Sequence, residues 1–104
     1  MSSLPPASYR ILTYGYDAVL LDTRRLLLNQ VGYQAEVAVN PHDFEVALRG
    51  LKPAFELLVL CHTVPKDEQA AISASAERFK TPVYQVPALI PPTDFLAHVS
   101  ALLV

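Results

Sequence analysis

Three groups of side chains in this sequence have the chemistry to react or to bind. Cys61 and His62 stand together at the end of an apolar run. A thiol next to an imidazole or a helix N-terminus can be held as a nucleophilic thiolate. Against that, free Cys is among the residue types most often buried as a small hydrophobe, and neighbours on a strand point to opposite faces, which makes Cys61-His62 weak as a dyad. Tyr14, Tyr16 and Tyr84 lie in or just after short β-like segments. Gathered at one end of a sheet they would form a surface for a small molecule or peptide; the plainer reading is that the rings fill a pocket and satisfy their hydroxyls locally. His62 also suits a polar rim position. His42, Asp43, His62 and His98 have no recognised metal-ligand spacing, so no metal is expected. Glu68 and Glu77, with Lys66 and Arg78 nearby, read as a solvated helix face without a role.

These residues must be positioned by elements that the hydrophobic pattern reveals. Residues 1–9, with Pro5-Pro6, read as a flexible leader, and residues 10–104 as one domain. Arg10–Tyr14 predicts a strand broken by Gly15-Tyr16. From Asp17 to Val31, Val19, Leu20, Leu27, Leu28 and Val31 recur at helical spacing, which turns Arg24 and Arg25 outward, and Gly32 suits the residue past the helix end. Tyr33–Val39 predicts a second strand with Tyr33, Ala35, Val37 and Val39 on one face. Asn40-Pro41 starts a helix to Arg49, with Asn as cap and Pro at the first position. Its inner face is expected to hold Phe44, Val46, Ala47 and Leu48, with Gly50 closing it and Lys52-Pro53 turning the chain.

Phe55–Cys61 is the clearest strand, and its unbroken apolar run implies burial on both faces of a parallel sheet. Pro65–Phe79 predicts a helix with Asp67 and Glu68 in its first turn and Ala70, Ala71, Ile72, Ala74, Ala76 and Phe79 inside. Val83–Val86 predicts a short strand stopped by Pro87. Pro91-Pro92-Thr93-Asp94 opens a last helix packed through Phe95, Leu96, Val99, Leu102 and Leu103. Strands alternating with helices predict a parallel sheet covered on both sides, an α/β three-layer sandwich of the flavodoxin-like kind.

Composition narrows the function. A chain of 104 residues that is 52% hydrophobic and 17% charged is a small globular domain. A net charge of −2 with scattered cations argues against a nucleic-acid or anionic-membrane partner. The single Cys61 excludes an internal disulfide and suits a reducing compartment. With no signal-peptide pattern and no long apolar run, a cytoplasmic location is expected.

Arg10-Ile11-Leu12, Leu26-Leu27-Leu28 ahead of Val31-Gly32-Tyr33, Phe55-Glu56-Leu57-Leu58-Val59-Leu60 before a loop ending in Pro65, and Thr81-Pro82-Val83 occur in an order that resembles a response-regulator receiver (CheY-like) domain. The resemblance covers residues 10–86 and, more loosely, the last helix. It implies a site at the C-terminal ends of the strands, where ligands bind in open α/β sheets. There the family places two acids after the first strand for Mg²⁺, an aspartate nucleophile ending the third, a Thr or Ser ending the fourth, and a lysine ending the fifth. Here those places fall on Gly15 and Tyr16, on Cys61 and on Pro87. Lys52, Lys66 and Lys80 all precede the fourth strand.

The family also has a further helix and strand where this chain has only Pro87–Pro92, which predicts a four-stranded sheet of order 2-1-3-4 with its fourth strand an exposed edge. The resemblance implies a degenerate pseudo-receiver: no enzyme, no cofactor, and a phosphorylation-independent interaction module in bacterial two-component signalling. It would bind a partner protein or itself as a dimer through the fourth-strand edge, with Tyr14, Tyr16, His62 and Tyr84 as the candidate surface. The competing expectations are a redox or thiol enzyme using Cys61 and a small-ligand module at a tyrosine-lined rim.

Overall fold

Four strands and four helices alternate in the computed structural model, which describes residues 9–49, 55–86 and 90–103. In chain order they are β1 (Arg10–Tyr14), α1 (Ala18–Gln30), β2 (Gln34–Ala38), α2 (Pro41–Leu48), β3 (Leu57–Leu60), α3 (Lys66–Arg78), β4 (Val83–Gln85) and α4 (Pro92–Leu103). All strand pairs are parallel and the order is β2-β1-β3-β4, so the expected flavodoxin-like α/β arrangement is the one found. Gly50, the Lys52-Pro53 turn, Pro87 and residues 1–8 of the expected leader lie outside the described residues. Tyr9, the last residue of the expected leader, contacts the sheet: its carbonyl accepts the Gln34 N–H at 2.9 Å, and its ring meets Tyr33 edge-on.

Side-chain alternation along the strands splits the core between the two sheet faces. On one, Leu12, Tyr14, Leu58 and Leu60 pack under α2 and α3 against Phe44, Leu48, Ile72 and Ala76. On the other, Ile11, Leu57, Val59 and Val86 pack with Leu28 of α1 and with Phe95 and Val99 of α4. Burying each Leu or Phe fully contributes about 1.5–3 kcal/mol. β3, buried at all four positions, is the two-sided strand that its apolar run implies.

Helix ends follow the residues that can make them. Asn40 caps α2 by accepting the Asp43 N–H at 2.8 Å, with Pro41 inside the first turn, where its missing N–H costs nothing. Asp17 caps α1 through the Leu20 N–H at 3.1 Å. Gly32, at φ 104°, ends α1: its N–H reaches Asn29 O and that of Tyr33 reaches Leu28 O, the usual closure by a left-handed residue. Lys80, at φ 59°, ends α3 in the same way, with its N–H on Glu77 O and that of Thr81 on Ala76 O.

Several inward assignments are corrected. The buried line of α1 is Leu21, Arg24 and Leu28, so the helix is rotated from the expected face: Val19 is 77% exposed, Val31 is exposed, and Arg24 points in rather than out. The other helices bury only a central line. Val46, Ala70, Ala71, Ala74, Phe79 and Leu102 all face solvent, as does Val39 beyond the end of β2.

Candidate functional site

The C-terminal rim is built where β1 and β3 lie side by side and their chain directions diverge to β2 and β4, the usual ligand crevice of an open α/β sheet. The Cys61 N–H donates to Tyr14 O at 2.9 Å, which carries the β1–β3 ladder one step past the strands and sets Cys61 beside Gly15. A methyl group at position 15 would lie 2.8 Å from Cys61 Cβ, 3.1 Å from Sγ and 3.3 Å from Thr63 Oγ1. Glycine is therefore required here by close approach. The Tyr16 N–H reaches Thr63 Oγ1 at 3.3 Å and ties the two loops together.

Two groups to which the sequence assigns no role organise this rim. Arg24, only 3% exposed, donates from Nη1 to Cys61 Sγ at 2.9 Å and lies over the Phe95 ring, 5.2 Å from guanidinium to centroid. Among the described residues it makes no ion pair with a carboxylate. Burial pushes the Cys61 thiol up; Arg24 pulls the other way through charge and hydrogen bond but does not overcome it. The buried thiol is thus held neutral, a poor nucleophile.

Glu68, in the first turn of α3, is the second group. Its two carboxylate oxygens accept the hydroxyls of Tyr14 and Tyr16. Tyr14 is buried, and burial followed by the bond to Glu68 drives its hydroxyl far above the usual tyrosine range. Tyr16 is 47% exposed; Glu68 raises its hydroxyl first, then desolvation. A helical Glu spaced among Lys, Asp and Gln carries no sign of this duty. For Arg24 a sign existed: Leu21, Arg24 and Leu28 share one helical face.

The expected gathering of three tyrosines is half realised. Tyr14 and Tyr16 meet edge-on at 6.2 Å. Tyr84 lies on the opposite face of the sheet, because the β3–β4 register pairs it with Val59 and sets Gln85, not Tyr84, level with Leu60. It stacks on Phe95 at 6.3 Å and His98 at 5.7 Å, and burial raises its hydroxyl, with Arg24 opposing. His62 is exposed and opens onto a groove of about 510 Å³ bounded by Lys66, Gln69 and Gln85. Pro87, the fourth of the degenerate positions, lies outside the described residues. Among the described residues no three His, Cys, Asp or Glu side chains come together as metal ligands, and no helix is long and apolar enough to cross a membrane.

The arrangement can hold the β1, β3 and α3 termini rigidly together. Its buried thiol is unsuited to attack, and its exposed Tyr16 ring and His62 imidazole are suited to contact. Comparison with known proteins gives no match: no protein-family model, curated protein or solved structure is significantly similar to the chain.

Proposed function

We propose that the chain is a pseudo-receiver, a phosphorylation-independent interaction module of bacterial signal transduction acting in the cytoplasm, with no catalytic role. The observation that carries the reading is the Gly15–Cys61 contact. At the crevice where the resemblance implies an acid facing a nucleophilic aspartate, a methyl group added to Gly15 would meet Cys61 Cβ at 2.8 Å. Next to this contact Arg24 donates to the thiol, and the Tyr14 and Tyr16 hydroxyls donate to Glu68. Function then resides in exposed surfaces, Tyr16 and His62 at the rim and the open edge of β4.

The test is direct. Acetyl phosphate or beryllofluoride with Mg²⁺ is expected to leave the backbone amide spectrum unchanged. Cys61→Asp alone is expected to acquire no phosphoryl label, since Gly15 and Tyr16 still supply no Mg²⁺ ligand. A labelled protein from either experiment overturns the reading.

The groove at His62 favours a second reading, a small-ligand module at the rim. A thermal-shift screen with nucleotides and metabolites tests it: a stabilising ligand whose effect is lost in His62→Ala supports it, and a silent screen removes it.

A further inference from the structure

Away from the rim, α3 and β4 enclose a groove of about 690 Å³ whose lining includes Ser73, Ala74, Thr81 and Val83. Two hydroxyls there, Ser73 Oγ and Thr81 Oγ1, are buried and make no hydrogen bond among the described residues, and Thr81 as a whole is 4% exposed. Buried hydroxyls without partners are uncommon and costly. The isolated chain therefore leaves unmet an interaction that an incoming polar group could supply.

The same groove borders the open edge of the sheet. Among the described residues β4 pairs only with β3. The Leu58 N–H donates to Pro82 O and the Val86 N–H to Leu60 O, both at 2.9 Å. In a parallel ladder alternate residues turn both backbone groups to the same side. Pro82, Tyr84 and Val86 thus face β3, while Val83 and Gln85 present N–H and C=O to the open side. Upstream the Thr81 N–H is already taken by Ala76 O, and downstream Pro87 in the sequence has no N–H to offer, so the open edge is confined to these few residues.

We propose that a second copy of this chain completes the edge: β4 pairs antiparallel with the β4 of the second copy about a two-fold axis at Tyr84. The inference rests on the interaction-module reading and names its partner. Two features of the edge select a second copy. First, the two-fold sets Val83 opposite Gln85 of the second copy and the reverse, each a pair that exchanges both backbone bonds, so no outward group of these residues is left over. Second, directly opposed side chains share a face of the sheet. Val83 packs on the α3 side, so the side chain carried into the groove is Gln85 of the second copy. Gln85 is exposed and makes no side-chain hydrogen bond among the described residues of its own chain. Its amide both donates and accepts, which is what the Ser73 and Thr81 hydroxyls need. The contact is small, so association is expected to be weak and reversible.

Sedimentation equilibrium of the full chain, from micromolar to roughly 1 mM, is expected to show a monomer–dimer equilibrium. Gln85→Pro removes an outward N–H and the amide while sparing every group bonded to β3; it is expected to weaken the dimer roughly tenfold or more with the circular dichroism unchanged. Gln85→Ala, which keeps the backbone edge, is expected to weaken it less. Val83 and Gln85 amides are expected to gain exchange protection as concentration rises, a readout that holds if Gln85→Pro does not fold. A chain monomeric throughout, a dimer as tight in the folded Gln85→Pro variant, or unprotected Val83 and Gln85 amides in a dimer would each overturn the proposal. None of these outcomes touches the phosphorylation-independent reading, which stands or falls on the Mg²⁺ and beryllofluoride experiment.

Discussion

Arg24 of α1 ends on the sulfur of Cys61, 2.9 Å away, a buried cation whose hydrogen-bond acceptor is a neutral thiol. Cys61→Ala takes that acceptor away and leaves the guanidinium buried with, among the described residues, the Phe95 face beneath it. A loss of about 1–3 kcal/mol of unfolding free energy in urea is expected, the usual cost of a stranded buried donor. Arg24→Met, which replaces the cation by an apolar chain of similar reach, is expected to cost less, and adding it to Cys61→Ala should recover stability. A double variant weaker than Cys61→Ala alone would show that the guanidinium is supported in some other way.

Gly15 and Cys61 are expected to be strongly coupled. Gly15→Ala sets a methyl group against Cys61 Cβ and should destabilise the fold by about 1–3 kcal/mol, the range for overpacking. Cys61→Gly removes the opposing carbon. A double-mutant cycle should therefore show the two substitutions tolerated together better than their sum, measured by denaturant midpoints. Strict additivity would mean that the loops move apart freely.

Stability is expected to fall at alkaline pH. Cys61 and Tyr14 both have folded-state pKa values raised above their unfolded ones, chiefly by burial. For such groups the native state holds its proton longer than the unfolded chain. Their contribution is fully present below the unfolded pKa values, about 8.5 for Cys and about 10 for Tyr, and is lost progressively above them. Urea midpoints should thus be flat near neutrality and decline from about pH 9 upward. Tyr14→Phe should remove part of the decline above about pH 10. The same substitution gives up the bond to Glu68, at a cost of about 0.5–1.5 kcal/mol.

The two left-handed helix ends make an opposed pair. Gly32 sits at φ 104° and Lys80 at φ 59°. Gly32→Ala should destabilise by about 1 kcal/mol, because an L side chain is strained there. Lys80→Gly relieves a strain of about 1–2 kcal/mol and returns part of it as unfolded-chain entropy, leaving a small net gain. Thermal midpoints moving in opposite directions would confirm both.

The element order and strand order are legible in the residues because each strand is bounded by its own punctuation: Gly15 after β1, Gly32 before β2, Asn40-Pro41 after it, Pro65 and Pro82 around α3. Side-chain direction is less accessible. A cation in a helix is ordinarily solvated, so the pattern turns Arg24 outward, although Leu21 and Leu28 on its flanks mark the true inner line. Tyr84 groups with Tyr14 in the sequence because both lie toward the C-terminal part of a short strand. Which face a strand residue takes depends on register with its neighbour, and a three-residue strand carries too little alternation to fix it. Glu68 owes its importance to a tyrosine pair far away in the chain.

The parallel sheet also governs how the chain reaches this state. β1 is made first and lies in the middle, hydrogen-bonded on both sides, yet none of its neighbours follows it directly: Arg10 waits for Gln34 across α1, and Ile11 for Leu57 across α1, β2 and α2. No hairpin can form early and guide the rest, so loop closure must precede every reward, and folding should be slow for so small a domain. A nascent chain would carry a central strand with both sides unpaired until its partners emerge.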